Sequence, residues 1–581
     1  MMTKNEKFVP AWYEDPAPAG SWRSIFKWGD PAAYKHPNSG LTKLIMDRFG
    51  LTQDKLSKPG DFGLEAVPDS VPVMLAAEHL AFLAQTCGAE NLKTDTYTRI
   101  KRSYGQGAID ALRLRRKIVE NIADVVVAPR SQAEIEAIVA YANQNLIPIY
   151  VFGGGSTVTR GYEATKGGIC VDMSVHMNRL VELNEIDQTV TVEAGMWGPK
   201  LEDLLQNAVD KLGARRNYTV GHFPQSFEYS SVGGWVVTRG AGQNSTYYGK
   251  IEDIVIDQEY VTPIGIFKTC FHPRAATGPD FDQVVMGGEG SFGILTKVTL
   301  RVCHWQPENR QRFSYMFHNW QDAQAASREV MQGEFGFPSV FRISDPEETD
   351  IMMKLYHIED TIADTILQKL GYQQMQKCLM LGFTDGEKGY CQNLDRKMRR
   401  IFKKHGAFEL SFAGVTKAWE KGRFTDPYMR EDLQDYGVLI DTLECGVTWS
   451  QMPKVHEDVR AFVKSRPNTI CMTHISHCYP QGANLYFIFI AKIDTIREYL
   501  DLQYGILEAI SKSGASISHH HGVGKATAPW LEGQIGTEQI NVIRLLKNHF
   551  DPNNIMNPGG TLGLDMSPAQ KEKRWGKDLE A

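Results

Sequence analysis

Residues 147–152 form a short apolar run that leads directly into Gly153-Gly154-Gly155-Ser156-Thr157. Three glycines after a strand let the backbone take positive φ and turn successive N–H groups onto one anion. Upstream, Val125-Val126-Val127 reads as a buried β-run. Ser131, with Glu134 three residues on as its capping-box partner, opens a helix that runs to about Asn145. Strand, helix, strand and glycine loop in that order define an α/β unit with an anion site at its end. The loop is neither Gly-x-Gly-x-x-Gly nor a Walker loop, because Gly-Lys-Ser/Thr is absent. Standing alone, a triple-glycine turn is more often structural than ligand-binding.

Its company changes that reading. Pro224-Gln225-Ser226 runs on through Tyr229-Ser230-Ser231 to a Val-Gly-Gly-Trp turn. Thr238-Arg239 and Gly242 follow, then Tyr247-Tyr248-Gly249-Lys250. Gly287-Gly288-Glu289-Gly290 with Gly293-Ile294 closes the set. Glycine- and hydroxyl-rich loops separated by β-runs predict one large polar ligand held by many backbone amides.

The chain has 581 residues, 42% hydrophobic and 23% charged, with a net charge of −6. It is long enough for two or more cores, and its charge balance argues against a nucleic-acid partner. Nine cysteines show no Cys-x-x-Cys pair, which favours reduced thiols. No signal peptide, membrane helix or peroxisomal address is read in the sequence, so a cytoplasmic protein is expected. The pattern divides into a helical extension at 1–118, an α/β region at 119–304 and an α+β region at 305–515. A last segment, 516–581, carries Ser518-His519-His520-His521-Gly522-Val523-Gly524-Lys525. Helices are predicted over 71–87, 200–211, 320–332, 348–366, 388–405 and 537–549, and β-runs over 437–443 and 485–490.

The glycine loops, in this order and spacing, resemble the PCMH-type FAD-binding domain of the vanillyl-alcohol oxidase superfamily. The resemblance implies an α+β fold: an FAD-binding domain of two α/β subdomains, a substrate-binding cap, and a C-terminal segment that returns to the active site. It implies that 153–157 hold the diphosphate of FAD. Pro224, Gln225, Ser226, Tyr229, Ser230, Ser231, Thr238, Arg239, Gly242, Glu289, Gly290, Gly293 and Ile294 would surround the rest. No attachment motif is visible, so the FAD is expected to be non-covalent.

Within that superfamily, residues 27–30, 221–235 and 518–525 are similar to the alkyldihydroxyacetonephosphate synthase family. That family exchanges the acyl chain of acyl-dihydroxyacetone phosphate for a fatty alcohol, with no net redox change. A lipid-like phosphate substrate, a homodimer and peripheral contact with a membrane follow as expectations. The likeness assigns proton handling to Tyr486 and to His519, His520 and His521. It assigns Arg430 and Arg342 to the substrate anion, for which a guanidinium fork is suited. On residue type alone, a tyrosine in a β-run packs a core and an arginine lies at the surface. Neighbours on an extended chain alternate faces, so His519 and His521 are expected to face the ligand, with His520 behind them. No carboxylate is seen to accompany these histidines, and no metal is expected.

The alternative within the superfamily is an FAD-linked D-2-hydroxy acid dehydrogenase of the D-lactate or glycolate type. Those enzymes carry Gly-Glu-His-Gly-Val-Gly where this chain has a histidine triplet, and their metal ligands would be incomplete here. Ser476-His477 keeps a trace of their motif, and His474 stands where the synthases carry arginine. A flavin-binding scaffold without substrate chemistry is a third reading, against which the triplet, Tyr486 and Arg430 argue.

Overall fold

The computed structural model describes residues 16–573, apart from 31, 57–59, 61, 357, 360 and 411–413. Both chain ends read above for address signals lie outside the described residues. Among the described residues, no helix is long and apolar enough to cross a membrane.

The first sheet orders its strands Leu92–Lys93, Val125–Val127, Ile169–Asp172, Ile149–Phe152. The last three are parallel, as the predicted α/β unit requires. The helix between them, Gln132–Asn145, is capped by the Ser131 hydroxyl, which accepts from the Glu134 N–H. Glu134 reaches back to the Arg130 N–H, one residue short of the expected capping-box partner.

The second sheet runs Leu180–Asn184, Thr189–Glu193, Ile294–Arg301, Val255–Thr262, Gly265–Lys268 and is antiparallel throughout. Its hairpin partners are joined by only a few residues, which is too short for a parallel crossover. The third sheet has seven strands, all antiparallel: Phe408–Glu409, Gln311–Phe317, Cys378–Thr384, Val340–Ser344, Ile470–Ile475, Gly482–Lys492, Val438–Thr448.

Alternation along three of these strands positions the site. Leu439, Leu443, Cys471, Leu485, Phe487 and Phe489 enter the core of the third sheet. Ile440, Thr442, Met472, His474, Tyr486, Ile488 and Ile490 have the opposite parity and line a cavity. Both faces are buried, which is why residues 485–490 read as a continuous apolar run.

Several predicted elements differ in extent. The 71–87 helix begins only at Ala77, because the Met74 N–H is bonded to the Asp124 carboxylate and holds the preceding chain extended. The 200–211 helix is two, Gly198–Gln206 and Ala208–Leu212, broken at Asn207. The 348–366 helix is also two, Pro346–Leu355 and Ile362–Lys369. The 437–443 run extends to Val438–Thr448 and so takes in Glu444.

Candidate active site

One cavity collects most of the predicted residues. Gly153, Gly154, Gly155, Ser156 and Thr157 line it, with Pro224, Gln225, Ser226, Ser230, Ser231, Thr238, Glu289, Gly290 and Gly293. The glycines are required by close packing. A Cβ on Gly154 would stand 2.2 Å from the Tyr229 carbonyl oxygen, and one on Gly153 would stand 2.3 Å from Ser231 Oγ. Gly155 has φ +72°. Three bare backbone units therefore face the cavity, which fits a diphosphate. These loops would hold FAD.

Tyr229, Arg239, Gly242 and Ile294 do not line the cavity. Tyr229 turns its hydroxyl to that of Tyr428 at 3.0 Å. Arg239 bonds the Gln283 side chain at the surface. Gly242 is a packing glycine, since a Cβ there would meet the Phe223 nitrogen at 2.4 Å. Ile294 begins a strand and is buried in the core.

The histidine triplet is arranged otherwise than expected. Residues 518–521 bend around Glu444. Its carboxylate accepts from the His519, His520 and His521 N–H groups at 2.7, 3.1 and 3.0 Å, and from Ser518 Oγ at 2.9 Å. Three successive amides converge on one carboxylate, so the chain is not extended and strict alternation of faces does not apply. His520 and His521 line the cavity, while His519 turns away to Tyr479, 2.8 Å from Nε2. Glu289 continues the clasp by accepting from Val523 and Gly524 at 2.6 and 2.7 Å. Burial pushes the Glu289 carboxyl up to about 7.

The expectation that no carboxylate accompanies the histidines is thus corrected. Glu444 is one, and it pairs across the sheet with Tyr486. Glu348 is another, 3.0 Å from His474 Nδ1 and 2.6 Å from Arg342. Burial alone would raise the Glu348 carboxyl, but His474 and Arg342 hold it down at about 2. Side-chain nitrogens of His477, His519 and His520 lie close enough together to share a metal ion, as do ligand atoms of Glu444, His520 and His521.

Tyr486 lies flat against His474 and parallel to His520, with ring centroids 4.8 and 5.8 Å away, and edge-on to His521 at 5.6 Å. Its hydroxyl donates to Thr442 Oγ1 at 3.0 Å. Burial pushes the phenol up to about 12. Burial, with neighbouring cationic groups, holds His477, His519 and His520 well below the usual imidazole range. The site therefore pairs a protonated phenol with neutral imidazoles at pH 7.

Arg430 and Arg342 both line the cavity. Arg430 donates to the Gln106 carbonyl at 2.9 Å and lies over Trp28. Thr442, Glu348, Glu444 and Arg423 were not singled out from sequence. Glu444 had a signal: it is a charged residue between Leu443 and Cys445 in a β-run. Beyond the polar groups the wall is apolar, with Leu41, Ile351, Leu355, Met429, Ile440 and Ile488 among its residues.

A glycine cradle, a phenol among imidazoles and an apolar wall in one cavity fit a flavoenzyme. Residues 123–270 match the FAD binding domain family, and residues 306–561 match the C-terminal domain of FAD linked oxidases. The alkyldihydroxyacetonephosphate synthase of Dictyostelium discoideum is 30% identical over 489 residues, covering 81% of this chain and 78% of that one. A solved structure of an alkyldihydroxyacetonephosphate synthase superimposes with a TM-score of 0.76 at 24% identity, over 92% of this chain and 98% of its own. A mitochondrial D-lactate dehydrogenase of Arabidopsis thaliana is 25% identical, over 76% of this chain and 73% of its own. The chain belongs to the alkyldihydroxyacetonephosphate synthase family of FAD-dependent enzymes.

Proposed function

We propose that the protein exchanges the acyl chain of acyl-dihydroxyacetone phosphate for a fatty alcohol, the synthase reaction of its family. The observation that carries this reading is the continuity of the cavity: glycine cradle, Tyr486 with His520 and His521, then apolar wall. A hydroxy acid of two or three carbons has no use for that wall. When bound, FAD supplies an electrophilic ring for the carbon that changes its oxygen substituent.

The side chains then divide the work. Tyr486 enters the cycle protonated and bonded to Thr442. For it to accept a C1 proton, its own proton must first pass on, and the neutral His520 ring beside it is the acceptor at hand, with the His521 ring edge-on to the phenol. Glu444 keeps both histidines aimed through their backbone amides. Arg430 faces the polar end of the substrate. Arg342 is already paired with Glu348 and contributes less to binding an anion than its position implied.

FAD is held without a covalent link in this reading, and the enzyme is a homodimer. Peripheral contact with a membrane is supported by Ile362, Ile366 and Leu370, an exposed i, i+4, i+8 stripe around one surface helix. The test is incorporation of labelled fatty alcohol into alkyl-dihydroxyacetone phosphate with release of fatty acid. Tyr486→Phe should cut turnover by ~10²–10⁴-fold with flavin content unchanged. Acid precipitation should release all the flavin. Bleaching of the flavin by D-lactate with no alkyl exchange would overturn the proposal in favour of the dehydrogenase.

A further inference from the structure

Three arginines line the cavity, and their charges are not equally balanced. Arg342 is ion-paired with Glu348. Arg430 is bonded to a backbone carbonyl, and its charge opposes the upward shift that burial imposes on the Asp441 carboxyl. Arg423 is 8% exposed, yet among the described residues its guanidinium donates one hydrogen bond, to Asn244 Oδ1, a neutral acceptor, at 3.1 Å. Its Nε, like those of Arg342 and Arg430, is buried with no partner among the described residues. The rings of Phe424, Phe223, Trp419 and Phe383 surround the guanidinium carbon at 4.7, 5.4, 5.6 and 6.0 Å.

Among the described residues, no carboxylate stands within ion-pairing distance of Arg423. The two acidic groups nearby, Asp385 and Glu420, are both bonded to Arg310, and Glu420 also to Arg312. Asp426, on the same loop and also lining the cavity, is held by Lys35. Three guanidiniums therefore share two carboxylates, and one positive charge is left over at the cavity wall. Burial, with Arg310 nearby, brings Arg423 down to about 10, which leaves it charged at pH 7. An uncompensated charge in an apolar shell is costly unless a partner arrives. The backbone that carries it is pinned to the cofactor loop, since Gln225 Nε2 donates to the Arg423 carbonyl at 2.6 Å.

We propose that Arg423 forms the subsite for the substrate's phosphate monoester, whose negative charge completes this cluster. The proposal rests on the reading above and refines it by placing the phosphate of the polar end, which that reading gave to Arg430, on Arg423. The planar fork can donate two parallel bonds to phosphate oxygens, while the aromatic shell excludes competing water.

The test uses flavin-loaded protein: wild type, Arg423→Met and Arg423→Lys. Thermal midpoint is measured with and without inorganic phosphate and dihydroxyacetone phosphate, with dihydroxyacetone as the uncharged control. Both phosphates should raise the wild-type midpoint, and dihydroxyacetone should not. Arg423→Met should lose that response and raise KM for the acyl substrate by about 10- to 100-fold, the scale of one charge-assisted bond. Without ligand it should be at least as heat-stable as wild type, because the change removes an unpaired buried charge; a merely structural arginine would give the opposite. Arg423→Lys, which keeps the charge, should recover part of the phosphate response. An unchanged phosphate response and KM in Arg423→Met, or loss of flavin from either variant, would overturn the subsite. The two readings fail separately. A wild type that responds to phosphate through Arg423 but exchanges no acyl chain keeps the subsite and refutes the synthase reaction. Normal exchange in Arg423→Met does the reverse.

Discussion

Glu444→Gln isolates what one buried carboxylate does for the triplet. Glu444 is 2% exposed, and four donors point at it. Oε1 accepts from Ser518, His520 and His521, and Oε2 accepts from His519. Glutamine keeps the shape but has one acceptor oxygen. If that oxygen replaces Oε1, the new amide nitrogen faces the His519 N–H, donor against donor. One bond to a charged acceptor is lost and three become bonds to a neutral one. Taking the lower end, about 1.5 kcal/mol for a charged bond and about 1 for a neutral one, the segment loses about 3 kcal/mol. The loss is local, so hydrogen exchange of the 519–521 amides should quicken by ~10²–10³-fold. Turnover should fall by about 10²-fold, since His520 and His521 lose their aim at Tyr486. Flavin content should hold, because the glycine cradle does not touch Glu444. Native protection and native turnover in Glu444→Gln would refute the argument that this carboxylate organises the site.

Two further outcomes follow from the geometry. Gly154→Ala should strip the protein of flavin on gel filtration, because its methyl would stand 2.2 Å from the Tyr229 carbonyl and open the cradle; a variant that keeps full yellow colour would show that the loop does not hold the cofactor. His222 is fully buried against Trp235, neither ring nitrogen has a partner among the described residues, and burial brings it down to about 3. Its folded value lies below the unfolded one, so the unfolded chain takes the proton first and stability falls as pH drops below about 6.5. From pH 8 to pH 5 this one group should cost about 2 kcal/mol. His222→Leu should reduce the wild-type loss of urea stability over that range by the same amount, and an identical pH profile in the two proteins would contradict the assignment.

Much of this protein was legible along the chain because local rules govern it. The strand, helix and strand before Gly153 are set by hydrophobic periodicity and the Ser131 cap, and all are present. The glycine loops are readable because a missing Cβ has a local cause. Tyr486, Arg342 and Arg430 do reach the cavity.

What failed depended on contacts remote in sequence. The triplet was expected to alternate faces, which holds only for an extended chain. Glu444, some 75 residues upstream, draws three of its amides to one point and turns His520, not His519, to the cavity. Arg342, given to the substrate anion by resemblance, is paired because the fold sets Glu348 beside it, and Arg423, which nothing in the sequence marks, stands out because the fold gives Asp385 and Glu420 to Arg310 and Arg312. Backbone shape is written in near neighbours, whereas the charge state of a buried site is the balance of groups from distant segments, and only tertiary structure decides which of them meet.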